Sequence, residues 1–168
     1  MKIKTALFLN PNQLILAREM QKSAQLVLSE FSPVPTLPLC VTCTELHSLS
    51  DKITKATPAE LFFERTSLFL SVELEINGKS CKGTIELCKI LSERDCTPEE
   101  KRAEIQEKCA ETLSKIKKIS PFRIVELESE EYENGRTWRV LGEKWGKIPP
   151  KKILKQRAVQ DFHDIICL

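Results

Sequence analysis

Residues 67–88, SLFLSVELEINGKSCKGTIELC, decide the fold because their pattern fixes its own strand register. Large aliphatic residues occupy every second position up to Asn77-Gly78, the dipeptide that two-residue type I′ hairpin turns favour. With that turn, the opposed pairs agree in polarity: Leu74 with Cys81, Leu70 with Ile85, Leu68 with Leu87, Ser71 with Thr84, and Glu73 with Lys82. A one-residue slip would oppose Leu68 to Glu86 and bury a charge, so the stretch predicts the central hairpin of a sheet.

The composition is that of a globular protein. The chain has 168 residues, of which 41% are hydrophobic and 30% charged, and this suffices for one substantial core. No apolar run approaches the roughly 18 to 20 residues of a membrane span, and the start MKIKTALFLNPNQ is too short and too soon polar for a signal peptide. We therefore expect a cytoplasmic protein with no membrane partner, whose seven cysteines are reduced thiols.

The remaining patterns predict the elements around the hairpin. They are a strand at 2–9, a helix at 13–29 capped by Asn10, a strand at 39–46, a short connection at 47–60, a possible strand near 60–64, and a helix from Thr97 to Ser120-Pro121. Thr97-Pro98-Glu99-Glu100 matches a capping box, in which Thr97 caps the helix and Glu100 reaches back.

A second hairpin is predicted in FRIVELESEEYENGRTWRVL, with Asn134-Gly135 as its turn. That register pairs Glu133 with Arg136, Glu130 with Arg139, Glu131 with Trp138, and Ser129 with Val140. Three acids, Glu126, Glu128 and Glu130, lie on one face of the first strand and could hold a divalent cation. We favour the simpler interpretation, that they decorate an exposed edge.

The fold class that follows is α+β: a mostly antiparallel sheet with two principal helices packed on one face and a C-terminal basic helix. We expect residues 1–148 to form a single domain. We expect residues 149–168 to form the basic helix, docked on that domain or extending from it. In this helix Leu154, Ala158, Phe162 and Ile165 form one apolar stripe.

The spacing of Cys40 and Cys43 raises the question of a zinc or redox site. In an extended strand, residues i and i+3 point to opposite faces, so both sulfurs cannot reach one metal. A redox pair of this spacing usually opens a helix, whereas here a strand pattern continues. We therefore predict no metal site and no cofactor, and we interpret the cysteines as core residues.

The C-terminal fifth of the chain is basic. Residues 134–168 carry 8 Lys and Arg against 3 Asp and Glu, an excess that can attract nucleic acid or an acidic protein. The candidate contact residues are Lys144, Trp145, Lys147, Lys151, Lys152, Lys155 and Arg157, where the indole could stack on a base.

Three segments resemble the 2H phosphoesterase superfamily, whose members include RNA 2′,3′-cyclic phosphodiesterases. They are KTALFLNPNQLILAREMQ, LPLCVTCTEL and FRIVELESEEYENGRTWRVLGE. The resemblance implies two histidines on paired strands, one acting as base and one as acid, with threonines binding the phosphate. Here the two slots read Cys40-Val41-Thr42 and Thr84-Ile85-Glu86, so only Thr42 matches.

No P-loop, nucleophile elbow, Rossmann glycine run or metalloprotease helix is present. The leading hypothesis is therefore a non-catalytic binding module for RNA or an acidic protein, using Thr42 and the basic C-terminal surface. The first alternative is a divergent phosphoesterase acting on RNA ends or cyclic nucleotides. The second is a protein interaction domain that uses the final helix.

Overall fold

A computed structural model describes residues 2–33, 39–119, 122–132 and 135–145. Its elements, in chain order, are β1 (Lys2–Phe8), α1 (Pro11–Val27), β2 (Phe31–Ser32), β3 (Cys40–Val41), β4 (Ile53–Glu64), β5 (Ser67–Ile76), β6 (Lys79–Ile90), α2 (Glu99–Lys115), β7 (Arg123–Tyr132) and β8 (Gly135–Trp145). The predicted mixture of two helices with antiparallel strands is confirmed. The predicted basic helix at 149–168 lies outside the described residues.

The central hairpin has the predicted turn. Asn77 and Gly78 have φ angles of 52° and 81°, the positive values that a type I′ turn requires. Four of the predicted pairs are present, from Leu74 opposite Cys81 to Leu70 opposite Ile85. The fifth is wrong, because a register shift after Leu68 places it opposite Cys88. The shift keeps both side chains in the core, since both are fully buried.

The strands form two antiparallel four-stranded sheets rather than one. The first sheet has the order β3-β1-β7-β8 and the second β2-β6-β5-β4. They meet where Thr42, just past β3, forms an isolated bridge with Thr84 on β6. Each of these two backbone amides donates to the carbonyl of the other at 2.9 Å.

Gly83 allows this close approach. A Cβ atom at Gly83 would lie 2.6 Å from Val41 Cγ1 and 2.9 Å from Leu74 Cδ1, both shorter than side chains tolerate. Only glycine therefore fits where the two sheets join.

One large cluster of buried residues, the main core, lies between the helices and the sheets. It contains the inward aliphatic side chains of β5 and β6 together with the buried apolar residues of both helices. Leu14, Ala17, Met20 and Ala24 come from α1, and Ile105 and Cys109 from α2. The Asn10 cap of α1 is confirmed, because its side chain accepts a hydrogen bond from Gln13 N at 2.9 Å.

Other predicted boundaries were wrong. The strand predicted at 39–46 ends at Val41, and the chain then turns, with Leu46 N donating to Cys43 O at 3.1 Å. The connection predicted at 47–60 is largely strand, since β4 begins at Ile53 and pairs along β5. Tertiary pairing outweighed local pattern at both places.

The second helix also differs at both ends. It begins at Glu99 without a side-chain cap and ends at Lys115, before the predicted Ser120-Pro121. Thr97 is not the cap, because its buried hydroxyl donates to Arg65 O at 3.2 Å. A tertiary hydrogen bond therefore replaces the capping box.

The second hairpin exists, but its predicted register was wrong. Tyr132 pairs with Gly135, whereas the predicted turn would have paired Glu133 with Arg136. Ser129 consequently faces Trp138, and Glu128 faces Arg139. The exposed-edge interpretation of the acids was wrong too, because β7 lies between β1 and β8.

Candidate functional site

A cavity of about 550 Å³ opens where the two sheets diverge. Because β3 has only two residues, the edges of β1 and β6 are left uncovered beyond Thr42. We call this cavity the inter-sheet notch. Its lining residues are Lys4, Thr5, Thr42, Cys43, Thr44, Leu46, His47, Lys82 and Thr84.

The floor of the notch is the junction between the sheets. Thr42 and Thr84 lie opposite each other in the bridge, and Thr42 Oγ1 also approaches Thr84 O at 3.5 Å. The two backbone hydrogen bonds fix the relative position of these threonines. Sequence-distant residues are thus held side by side.

The loop at 43–51 forms one wall, and hydrogen bonds tie it to both sheets. Thr5 Oγ1 on β1 donates to His47 O at 3.1 Å. The Asp51 carboxylate accepts from His47 N at 2.7 Å and from Asn77 Nδ2, in the central turn, at 3.0 Å. The pKa of Asp51 lies below its usual value, chiefly because the His47 amide donates to the carboxylate. The hydrogen bond from Asn77 lowers this pKa further.

The lining of the notch is cationic. The described residues of the lining include Lys4, Lys82 and the exposed His47, and none of them is an aspartate or a glutamate. Within the described part of the chain neither ammonium has a salt bridge, and the Thr84 hydroxyl has no hydrogen-bond partner. These three groups are hydrogen-bond donors, and the two ammonium groups are also cationic.

Among the described residues, Glu45 follows the notch residues Cys43 and Thr44, while Glu73 and Glu126 are the cross-strand neighbours of Lys82 and Thr5. The Glu45 carboxylate accepts from Cys43 Sγ at 3.0 Å and from Thr44 Oγ1 at 2.9 Å. The hydrogen bond from Cys43 is the main cause that lowers the pKa of Glu45, and the hydrogen bond from Thr44 lowers it further. The Thr44 hydroxyl therefore donates to Glu45, whereas the Thr84 hydroxyl has no partner among the described residues.

The thiols near the notch are poor nucleophiles. Burial raises the pKa of Cys40 to about 12, although the Lys4 ammonium opposes the shift. Burial, followed by the Glu45 hydrogen bond, raises the pKa of Cys43 to about 11. Since the thiolate is the reactive form of cysteine, the raised pKa values disfavour nucleophilic attack by either thiol near neutral pH.

No group of three or more His, Cys, Asp or Glu side chains could hold a metal ion in the part of the chain that the structure describes. Of the three acids proposed as cation ligands, Glu128 is buried and contacts Arg139 Nη2. Glu126 lies on the same face of β7 but opposite Gly142.

The structure separates the predicted binding residues. Thr42 lies in the notch, whereas Lys144 is exposed on β8, with β1 and β7 between that strand and β3. Trp145 is the last residue of β8. The other predicted contacts, Lys147, Lys151, Lys152, Lys155 and Arg157, lie outside the described residues.

The sequence did not predict that Lys4, Lys82 and His47 line the same cavity. The central register did place Lys82 and Thr84 on one face of β6, because both are opposed to polar residues. Nothing in the local pattern indicated that β1 would approach this strand. The bridge between Thr42 and Thr84 brings these residues together, and no sequence pattern predicted that bridge.

Comparison with family models, curated proteins and solved structures found no match for this chain. Within the described residues, neither helix has the length and apolar character to cross a bilayer.

Proposed function

We propose that this protein is a non-catalytic binding module for a phosphate-bearing ligand, and specifically for the end of a single-stranded RNA. The observation that carries the proposal is a set of three donors in the inter-sheet notch, Lys4, Lys82 and Thr84, whose side chains have no salt bridge or hydrogen bond to any other described residue. Two ammonium groups and a hydroxyl match the charge and the acceptor oxygens of a phosphate.

The size of the notch supports a nucleotide as the bound unit. Small-molecule sites are typically about 300 to 1,000 Å³ in volume, and this cavity is about 550 Å³. A terminal nucleotide would lie in the notch while the rest of the strand follows a basic surface. The residues proposed for that surface are Lys144, Trp145, Lys147, Lys151, Lys152, Lys155 and Arg157.

Binding rather than catalysis is proposed because the described residues that line the notch do not include a pair of acid and base groups. His47 is the single histidine in its lining, and the raised pKa values of Cys40 and Cys43 keep both thiols protonated. General acid–base chemistry on a phosphodiester needs two groups with complementary protonation.

The direct test is the salt dependence of RNA binding for Lys4→Gln and Lys82→Gln. Each variant should bind a short single-stranded RNA more weakly and reduce the slope of log K against log salt by roughly 0.7. Lys79→Gln is the matched control, because Lys79 is an exposed lysine on β6 that does not line the notch. Equal slopes for all four proteins would contradict the proposal.

The second candidate is a divergent 2H-like phosphoesterase. The observation in its favour is that Thr42, which matches the family motif, lies opposite Thr84 in the second slot. Incubation with 2′,3′-cyclic nucleotides tests it: turnover that Thr42→Ala abolishes would replace the binding proposal. An acidic protein at the basic surface is the remaining partner, and it is favoured if RNA does not bind.

A further inference from the structure

The second sheet has a surface that points away from the main core. Leu68 and Leu70 on β5 belong to that core, and side chains alternate along a strand, so Phe69 lies on the opposite surface. Phe62 on β4 is paired with Phe69 and therefore shares its surface. Thr84 on β6 lies there too, because its partner on β5 is two positions from Phe69. We call this surface the outer face of the second sheet.

The outer face carries a stacked aromatic pair. The ring centres of Phe62 and Phe69 lie 5.2 Å apart, and the ring planes are inclined by 13°. Both side chains are half-buried, and among the described residues neither belongs to a buried cluster or packs against one. Phe63, the next residue of β4, packs against the main core instead. Two adjoining rings outside the core offer a flat apolar surface to a ligand.

A second cavity, of about 520 Å³, opens beside Phe69. Its described lining includes the exposed cations Arg65 and Lys89 and the exposed acids Glu64 and Asp95. None of these four side chains has a salt bridge within the described part of the chain. The edge of a nucleobase presents both hydrogen-bond donors and acceptors. An aromatic ring flanked by cations and carboxylates therefore matches a base better than it matches a bare anion.

The notch and the second cavity are close enough for one nucleotide to reach both. Thr84 lines the notch, and Phe69 lines the second cavity. The two residues are diagonal neighbours across β5 and β6, a relation that places residues about 7 to 8 Å apart. In a nucleotide a single ribose joins the phosphate to the base. A phosphate held at Thr84 therefore has its base within reach of the Phe69 ring.

We propose that the second cavity is a base-binding subsite, in which the base of the nucleotide whose phosphate lies in the notch stacks on Phe69. The inference rests on the proposed RNA function and adds a second group of the ligand to it. Phe62 supports the Phe69 ring through the stacked contact. Every base has a flat π face, so the subsite accepts any of the four bases.

Three short RNAs that differ only in the terminal nucleotide test the subsite. The first has a terminal phosphate and a base, the second has the phosphate on an abasic ribose, and the third has the base but a terminal hydroxyl. The affinity ratio of the first RNA to the second is the base preference, and that of the first to the third is the phosphate preference. The wild type should show a base preference of about tenfold, as one stack of a base on an aromatic ring implies.

Variants of Phe69 separate the two preferences. Phe69→Leu should lose the base preference and keep the phosphate preference, because leucine retains the apolar character without the flat ring. Phe69→Tyr retains the ring and should keep both preferences. Phe63→Leu is the matched control, since Phe63 packs against the main core, and it should also keep both.

The outcomes distinguish this inference from the proposed function. A wild type that prefers the phosphate but not the base would overturn the base subsite alone. A wild type with neither preference would overturn the proposed function, and the subsite with it. A base preference that survives in Phe69→Leu would also overturn the subsite. If thermal unfolding shows that Phe69→Leu does not fold, Phe62→Leu takes its place, and an unchanged base preference in that variant would overturn the subsite.

Discussion

The close approach of the two sheets requires that residue 83 has no side chain, as in Gly83. Gly83→Ala should reduce the free energy of unfolding by about 1 to 3 kcal/mol, because the new Cβ would lie 2.6 Å from Val41 Cγ1. Urea unfolding measures this loss. The double variant Val41→Ala/Gly83→Ala should lose less free energy of unfolding than the sum of the losses in the two single variants. The reason is that the smaller side chain at position 41 removes the overlap with the new Cβ. Additive losses would show that the close approach is not the cause.

The buried thiols make stability depend on alkaline pH. Burial raises the pKa of Cys88 to about 12 and that of Cys109 to about 11. Between pH 9 and 11 the unfolded chain therefore loses thiol protons that the native protein keeps. The unfolded state binds fewer protons, so the free energy of unfolding falls as pH rises, by up to about 1.4 kcal/mol per pH unit for each thiol.

Urea unfolding at pH 8, 9 and 10 measures this dependence. Cys88→Ala should lower stability at every pH but flatten the decline. Cys96→Ser is the control, because Cys96 is exposed, and it should leave the decline unchanged. A wild-type stability that stays constant or rises between pH 8 and 10 would contradict the burial of these thiols.

At the scale of single elements, α2 tests whether a local or a tertiary hydrogen bond fixes the start of a helix. Thr97→Val should destabilise the protein by about 1 kcal/mol or more, because the buried Thr97 Oγ1 donates to Arg65 O. Glu100→Gln is the comparison, and it should change stability little because Thr97 is not the cap. If urea unfolding shows that both variants lose the same free energy of unfolding, the capping box would instead be supported.

Elements with strong local signals could be predicted from the sequence. The alternation and the Asn77-Gly78 turn determined the central hairpin, and Asn10-Pro11 determined the start of α1. Boundaries set by distant contacts could not be predicted. Thr42 leaves its strand because it pairs with Thr84, and Thr97 lies outside its helix because it bonds to Arg65.

The same reasoning explains what was predicted of the site. Thr42 was singled out from its motif, and it does line the notch. Lys4 could not be placed beside Lys82 from sequence, because 77 residues lie between them and their proximity follows from the bridge between sheets.

At the scale of the whole molecule, the proposed RNA strand extends from the notch onto the basic C-terminal segment. Replacing Lys151, Lys152 and Lys155 together with glutamine should weaken binding of single-stranded RNA at about 50 mM salt and leave the melting temperature unchanged. The reason is that phosphate contacts set affinity through counterion release rather than through the fold. Fluorescence anisotropy measures the binding and calorimetry the melting temperature.

Two outcomes of that experiment would count against a nucleic-acid partner. One is equally poor binding of the wild type and the triple variant, which would favour an acidic protein. The other is a loss of affinity that depends on RNA sequence, since phosphate contacts carry no sequence information.

The central claim, that Lys4, Lys82 and Thr84 hold a terminal phosphate, is tested most directly by the affinity ratio between two otherwise identical RNAs. One carries a terminal phosphate and the other a terminal hydroxyl, and both are titrated into wild type, Lys82→Gln and Lys79→Gln. The account predicts that the wild type and Lys79→Gln bind the phosphorylated RNA about tenfold or more tightly, as one charge-assisted contact of roughly 1.5 to 3 kcal/mol implies, and that Lys82→Gln loses most of this preference. A wild-type protein with equal affinity for both RNAs would contradict it.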